Sequence, residues 1–135
     1  MGNSGEAQRK AVLDAEDALL TGTLSPQVRS LVVARDQPIQ LPGWEAALPM
    51  RVLEVRGDGA PAVLVHGFMC ASGVYAHLLE HLAPTGRRLL CVDLVGMGAS
   101  ARPYVDPKEL TPESGEALHV DALLAWADAE GLELS

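Results

Sequence analysis

The residues best placed to do chemistry are His66, Gly67, Phe68 and Met69, which follow at once on the apolar run Ala62-Val63-Leu64-Val65. A short continuous run of this kind is a strand signal, and in open parallel sheets ligands collect outside the carboxyl ends of the strands. Glycine there lets the backbone approach a bound group. The next amide, on Phe68, can then point into the crevice and hold negative charge developing on an oxygen. A tight turn with a packed His and Phe would use the same residues for structure alone, and the local sequence leaves both open.

A second cluster, Asp93-Leu94-Val95-Gly96-Met97-Gly98-Ala99-Ser100-Ala101-Arg102-Pro103, follows the next apolar run, Leu89-Leu90-Cys91-Val92. Gly96, Gly98 and Ala101 match the dinucleotide-binding fingerprint by letter. That fingerprint works by opening a helix whose amino terminus holds a pyrophosphate. Pro103 and Pro107 forbid such a helix, and no acidic residue closes a following strand, so a nucleotide is rejected. The structural use of the cluster is a glycine-rich turn in which the Asp93 side chain caps backbone amides.

The remaining reactive side chains offer little. Cys70 and Cys91 are too few for a disulfide scaffold or a zinc site. Cys70 has no base or positive charge near it in sequence to activate it, and reads as a small apolar residue. His77, His81 and His119 fall on helical segments and read as partly buried helix residues.

Pro and Gly divide the chain into the elements that must position these residues. Over 6–20, Val12, Ala15, Leu19 and Leu20 recur at helical spacing, with Gly22 placed to end the helix. Ser25-Pro26 offers an N-cap and a first-turn proline for a short helix over 27–30. Extended stretches at 30–35 or 37–41, and at 50–56, predict a hairpin. In the latter, Val52 and Glu54 alternate with Leu53 and Val55, as in a strand exposed on one face. The connection 42–49 is bracketed by Pro42 and Pro49, which cannot donate to a ladder, and is expected outside the sheet. Both apolar runs read as strands covered on two faces. Between them a helix should present Val74, His77, Leu78, His81 and Leu82 as its stripe, closed by Pro84 and Gly86, making a right-handed βαβ unit. A last helix over 113–130 should bury Val120, Leu123, Leu124 and Ala127 and end at Gly131. Leu132-Glu133-Leu134-Ser135 then falls where the alternation calls for another parallel strand.

A strand ending in His-Gly-Phe, a helix, and a strand ending in Asp-x-x-Gly-x-Gly-x-Ser-x-x-Pro together resemble the amino-terminal half of an α/β-hydrolase domain. The resemblance covers about 50–134. It implies strands 1 to 4 with two flanking helices, preceded by a helical leader. It also implies that the Phe68 amide is one oxyanion donor, that His66 and Gly67 support its loop, that Met69 lines the site, and that Asp93, Gly96, Gly98 and Ser100 form a structural loop. Ser100-Ala101-Arg102-Pro103, Leu124-Ala125-Trp126-Ala127 and Gly131-Leu132 are similar to the branch holding acyl-phospholipid lipases and the lipid-droplet lipase co-activator. Epoxide hydrolases and haloalkane dehalogenases usually carry proline two residues after the Gly, and the dehalogenases a side-chain donor between. Met69 and Phe68 stand there instead, which favours acyl-ester chemistry.

No Gly-x-Ser-x-Gly occurs in the 135 residues. The resemblance therefore implies that nucleophile, acid and base all lie outside this chain, which reads as a truncated serine-type ester or lipid hydrolase, inactive alone. The alternative is a non-catalytic interaction module on the same scaffold. The domain division expected is a leader over 1–29 and the truncated hydrolase domain over 30–135. In the family's strand order Ala62 to Val65 would then form a sheet edge, through which the chain could self-associate.

Composition narrows the partners. Eighteen acidic against 10 basic residues, a net charge of -8, would repel a nucleic acid. No apolar run approaches the length of a membrane span. The expected substrate of a completed protein is a small-molecule or lipid ester. No cofactor and no metal are expected, and the location is expected to be cytoplasmic, peripheral to a lipid surface at most.

Overall fold

A computed structural model describes residues 2–133. Of Leu132-Glu133-Leu134-Ser135, where a further strand was expected, Leu132 and Glu133 form no strand, and Leu134 and Ser135 lie outside the described residues. Helix α1 (Gly2–Thr23) leads through the short α2 (Pro26–Arg29) to strands β1 (Val32–Ile39), β2 (Leu48–Val55) and β3 (Gly59–Val65). Helix α3 (Ala76–Leu82), strand β4 (Arg87–Val92) and helix α4 (Pro112–Ala129) follow. The strands form one mixed sheet in the order β1-β2-β4-β3. β1 and β4 both run antiparallel to β2, while β3 and β4 are parallel, so the expected hairpin and βαβ unit are both present in an α/β fold.

Two cores sandwich the sheet. On one face Leu20, Leu24, Val28, Leu53, Val55, Leu79, Leu89 and Cys91 pack together, and on the other Leu48, Met50, Val52, Leu90, Val92, Ala122 and Trp126. β2 therefore buries both its faces, where its alternation predicted one exposed face. It is an inner strand with α1 and α3 on one side and α4 on the other. Glu54 still meets water's demand for partners, because Arg35 and Arg88 reach it at 2.9 and 2.6 Å. Burial pushes the Glu54 carboxyl up, but hydrogen bonds from Arg88 and Arg35 prevail and hold it below the usual carboxylate range. The same two arginines grip Glu130 after the end of α4, at 2.8 and 3.2 Å. This charge-balanced quartet pins α4 to three strands.

Several sequence expectations shift. α1 runs through Gly22 to Thr23, because Leu20 and Leu24 anchor it in the first core at more gain than the roughly 1 kcal/mol a helical glycine costs. Its buried face carries Glu16, paired with Arg51 at 2.6 Å, while Ala15 and Leu19 are exposed. Pro49 lies inside β2, opposite Pro38. Its carbonyl accepts from the Ala101 amide at 2.8 Å, so it faces away from β1 and its missing N–H removes nothing from the hairpin ladder. β3 is covered on one face only. Ala62 and Leu64 pack on the first core, whereas Val63 and Val65 remain 36% and 40% exposed, since β3 is an edge strand.

The helix faces are also rotated from the predicted stripes. α3 buries Ala76 and Leu79 and leaves His77, Leu78 and His81 outside, with Val74 exposed in the 3₁₀ turn that precedes it. α4 buries Ala122, Trp126 and Ala127 and leaves Val120 and Leu124 exposed. Both helices bury alanines in the cores, Ala76 in α3 and Ala122 and Ala127 in α4, which counting large apolar residues does not register. Ser25 caps α2 as expected, accepting from the Val28 amide at 3.3 Å. Gly86 and Gly131 take left-handed backbone at the ends of the α3 and α4 segments.

Candidate functional site

The loops that follow β3 and β4 lie side by side at the carboxyl ends of these parallel strands, as the βαβ geometry requires. His66 ties them together. It is 4% exposed, and its Nε2 accepts the Leu94 amide at 3.0 Å while its Nδ1 lies 2.8 Å from the Gly67 carbonyl. An acceptor at Nε2 places the ring proton on Nδ1, which donates to Gly67. With both nitrogens engaged, His66 is a brace for the two loops.

Asp93 is the second brace. Its fully buried carboxylate accepts the Ser72 amide at 2.6 Å on Oδ1 and the Ala99 amide at 2.9 Å on Oδ2. This is the amide-capping turn read from the sequence, extended across to the 3₁₀ turn before α3. Gly98, at φ +52°, has no room for a side chain, because a Cβ would overlap that carboxylate. Gly96 is left-handed too, at φ +83°, and its amide closes the loop onto the Ala101 carbonyl at 2.7 Å. Ser100 Oγ donates to the Asp93 carbonyl at 2.6 Å and accepts the Arg51 amide at 2.8 Å, which fastens the loop to β2. No helix opens at these glycines: the chain stays irregular until Pro112. The pyrophosphate cradle rejected from the sequence is thus absent from this loop.

Phe68 and Met69 occupy the tip of a β-turn closed by the Cys70 amide on the Gly67 carbonyl at 3.2 Å. Met69 is the one non-glycine residue with positive φ, +59°, among the described residues. Such a conformation costs an ordinary side chain of order 1–2 kcal/mol and marks a backbone held for a reason. Both side chains are 82% exposed, so Phe68 is not the packed turn residue of the purely structural alternative. Neither the Phe68 nor the Met69 amide has a hydrogen-bond partner among the described residues. The turn that carries these two unpaired N–H groups borders a cleft of about 310 Å³, lined by Phe68, Met69, Cys70, Gly96, Met97, Gly98 and Arg102.

Sequence reasoning brought together His66, Phe68, Met69, Asp93 and the two glycines, and the structure places all of them in these two loops. It missed Arg102, which lines the same cleft as Cys70 and whose guanidinium donates to the Gly96 and Gly98 carbonyls at 2.8 and 3.0 Å. It also missed Tyr75, whose hydroxyl donates to the Val65 carbonyl at 2.7 Å and fixes the end of β3. Cys91 stays apart from the cleft; burial, with a smaller effect of the Asp93 carboxylate, pushes its thiol up to about 12. His119 lies on α4, its Nδ1 2.9 Å from the Gly115 carbonyl. His77 and His81 are exposed, where partial burial was expected.

No family model matches the chain. It is similar to a haloalkane dehalogenase of Agrobacterium fabrum, 41% identical over 73 residues that make up 54% of this chain and 21% of that protein. It is similar also to the (lyso)-N-acylphosphatidylethanolamine lipase of Bos taurus, 31% identical over 94 residues, 70% of this chain and 26% of that protein. The crystal structure of a haloalkane dehalogenase from Agrobacterium tumefaciens matches with a TM-score of 0.54 at 35% identity, covering 74% of this chain and 30% of that one. The matches thus span about a fifth to a quarter of the length of the curated relatives. With a mixed sheet, a βαβ crossover and two braced loops at its carboxyl end, the chain belongs to the α/β-hydrolase superfamily.

Proposed function

We propose that this chain supplies the oxyanion loop of a serine-type hydrolase acting on ester or lipid acyl bonds, with the nucleophile, its base and its acid contributed from outside these residues. In acyl transfer the nucleophile's oxygen attacks the carbonyl carbon, and the carbonyl π electrons move onto oxygen. The resulting oxyanion needs pre-aimed donors. The observation that carries the proposal is the free Phe68 amide at the cleft, on a turn whose neighbours His66 and Asp93 are locked by buried hydrogen bonds. Held amides of this kind pay no reorganisation when charge develops.

The similarity to dehalogenases raises carbon–halogen cleavage as a competitor. Acyl chemistry is favoured because Phe68 brings only its backbone N–H and an apolar wall, and has no side-chain donor to bind a leaving halide.

The test replaces Phe68 by proline in the whole open reading frame that contains these residues. Phe68 is the second residue of the Gly67–Cys70 turn, the position proline prefers, so the turn survives while the amide hydrogen is lost. Turnover of a short-chain aryl ester should fall by about 10²–10³ in kcat, the usual cost of one oxyanion donor. Unchanged kcat would remove Phe68 from the chemistry. A reading frame with no esterase activity at all would favour the alternative, a non-catalytic interaction module.

A further inference from the structure

A groove of about 310 Å³ opens where the β1–β2 connection meets the start of α4, and it shares no lining residue with the cleft bordered by Phe68. Its walls are built in advance. On one side the Trp44 amide donates to the Leu41 carbonyl at 3.2 Å and the Gln40 side-chain amide to the Trp44 carbonyl at 2.5 Å, so Trp44 stands on a closed turn. On the other, Ser114 Oγ lies 3.1 Å from the Glu109 carbonyl, and the capping box of Thr111 and Ser114 fixes the first turn of α4. Leu118 and Asp121 follow Ser114 at helical spacing and line the groove with it. The floor is apolar: Leu41 belongs to the second core, and Trp44 and Leu118 pack against that core while only partly buried.

The rim is acidic. Glu109 and Asp121 are exposed, and neither has an ion-pair partner among the described residues. No Lys or Arg lines the groove; Lys108, beside Glu109 in sequence, is not part of its walls. From Glu109 to Glu133 the sequence carries seven carboxylates and neither Lys nor Arg, and of the seven only Glu130 meets a basic side chain.

An indole ring and aliphatic walls under two unneutralised carboxylates suit a ligand with an apolar body and a positive charge. The body leaves water for Trp44, Leu110 and Leu118, and the charge meets the carboxylates and the face of the indole. An anion is repelled by the rim and by the acidic surface of α4, which draws cations in. The volume stands at the lower end of the range for small-molecule clefts, which begin at about 300 Å³. We propose that this groove binds a small organic cation, an ammonium group on a hydrocarbon or aryl body. The inference goes beyond the acyl-hydrolase proposal and does not depend on it.

Binding tests it without turnover. The 135-residue chain is titrated with 2-phenylethylammonium, 2-phenylethanol and 3-phenylpropanoate while the indole N–H of Trp44 and the amides of Trp44, Leu110 and Asp121 are followed by NMR. The ammonium should bind about tenfold or more tighter than the alcohol, the scale of a charge-assisted contact, and the carboxylate should not bind. The double variant Glu109→Gln, Asp121→Asn should bring the ammonium to the affinity of the alcohol, and Trp44→Leu should weaken both. Glu113→Gln, on the same helix but outside the groove, should change neither. An unmoved indole resonance of Trp126, buried in the second core, shows in each variant that the core beneath is intact. Equal binding of ammonium and alcohol, or an ammonium affinity that the double variant leaves unchanged, would overturn the cation site. No shift with any probe would overturn the groove as a binding site. A blocked lysine–phenylalanine–lysine tripeptide binding about a hundredfold or more tighter than the ammonium would make a basic protein segment the occupant and overturn the small-molecule assignment.

Discussion

The carboxylate of Asp93 fills the space where a side chain on Gly98 would stand, so the residue that caps the loop and the glycine that permits it exclude any alternative at position 98. Gly98→Ala would have to move that carboxylate from the Ser72 and Ala99 amides and would hold alanine at φ +52°. Urea denaturation should show a loss of about 2–4 kcal/mol, combining backbone strain with a disturbed buried charge-assisted pair. A loss below about 1 kcal/mol would mean that the loop relaxes freely and that Asp93 is not its keystone.

The quartet of Arg35, Arg88, Glu54 and Glu130 gives stability a defined pH dependence. Glu54 has a folded value below its ordinary 4.5. A depressed carboxylate binds protons less readily in the folded state, so its contribution is complete above the unfolded value and is lost as pH falls through the folded one. Glu54→Gln should therefore cost about 1.5–3 kcal/mol near neutral pH, and the difference from the native chain should shrink on acidification below about 4. A gap that stays constant from neutral to acid would show that the ion pairs contribute nothing.

Much of the site was legible because its signals are local. His66-Gly67-Phe68 and Asp93 with Gly96, Gly98 and Ser100 are short strings whose backbone demands are set by neighbours in sequence, and each ended in the expected loop. Helix faces were not. The stripes over Val74, Leu78, Val120 and Leu124 follow apolar periodicity, yet Ala76, Ala122 and Trp126 are buried instead, because the face that packs is set by a surface built from distant strands. Glu16 on the buried face of α1 was hidden likewise, since its partner Arg51 comes from another element.

β3 is an edge strand whose outer face shows Val63 and Val65. Edges of this kind, with no lysine in the strand, invite strand pairing. We propose that the isolated chain self-associates through this edge. Sedimentation should show concentration-dependent association that Val65→Lys suppresses, as a charge on the exposed face blocks a partner strand. A monodisperse native chain with a cooperative thermal transition would contradict this.

The central claim is that the oxyanion loop lies within these residues and the nucleophile does not, and fluorophosphonate labelling followed by intact mass measurement tests it most directly. The 135-residue chain should take up no probe above an albumin control, while the full reading frame that contains it should be labelled once, at a serine outside residues 1–135. Stoichiometric labelling of the 135-residue chain, at Ser72, Cys70 or Ser100, would contradict the account and place the nucleophile among the residues assigned here to structure.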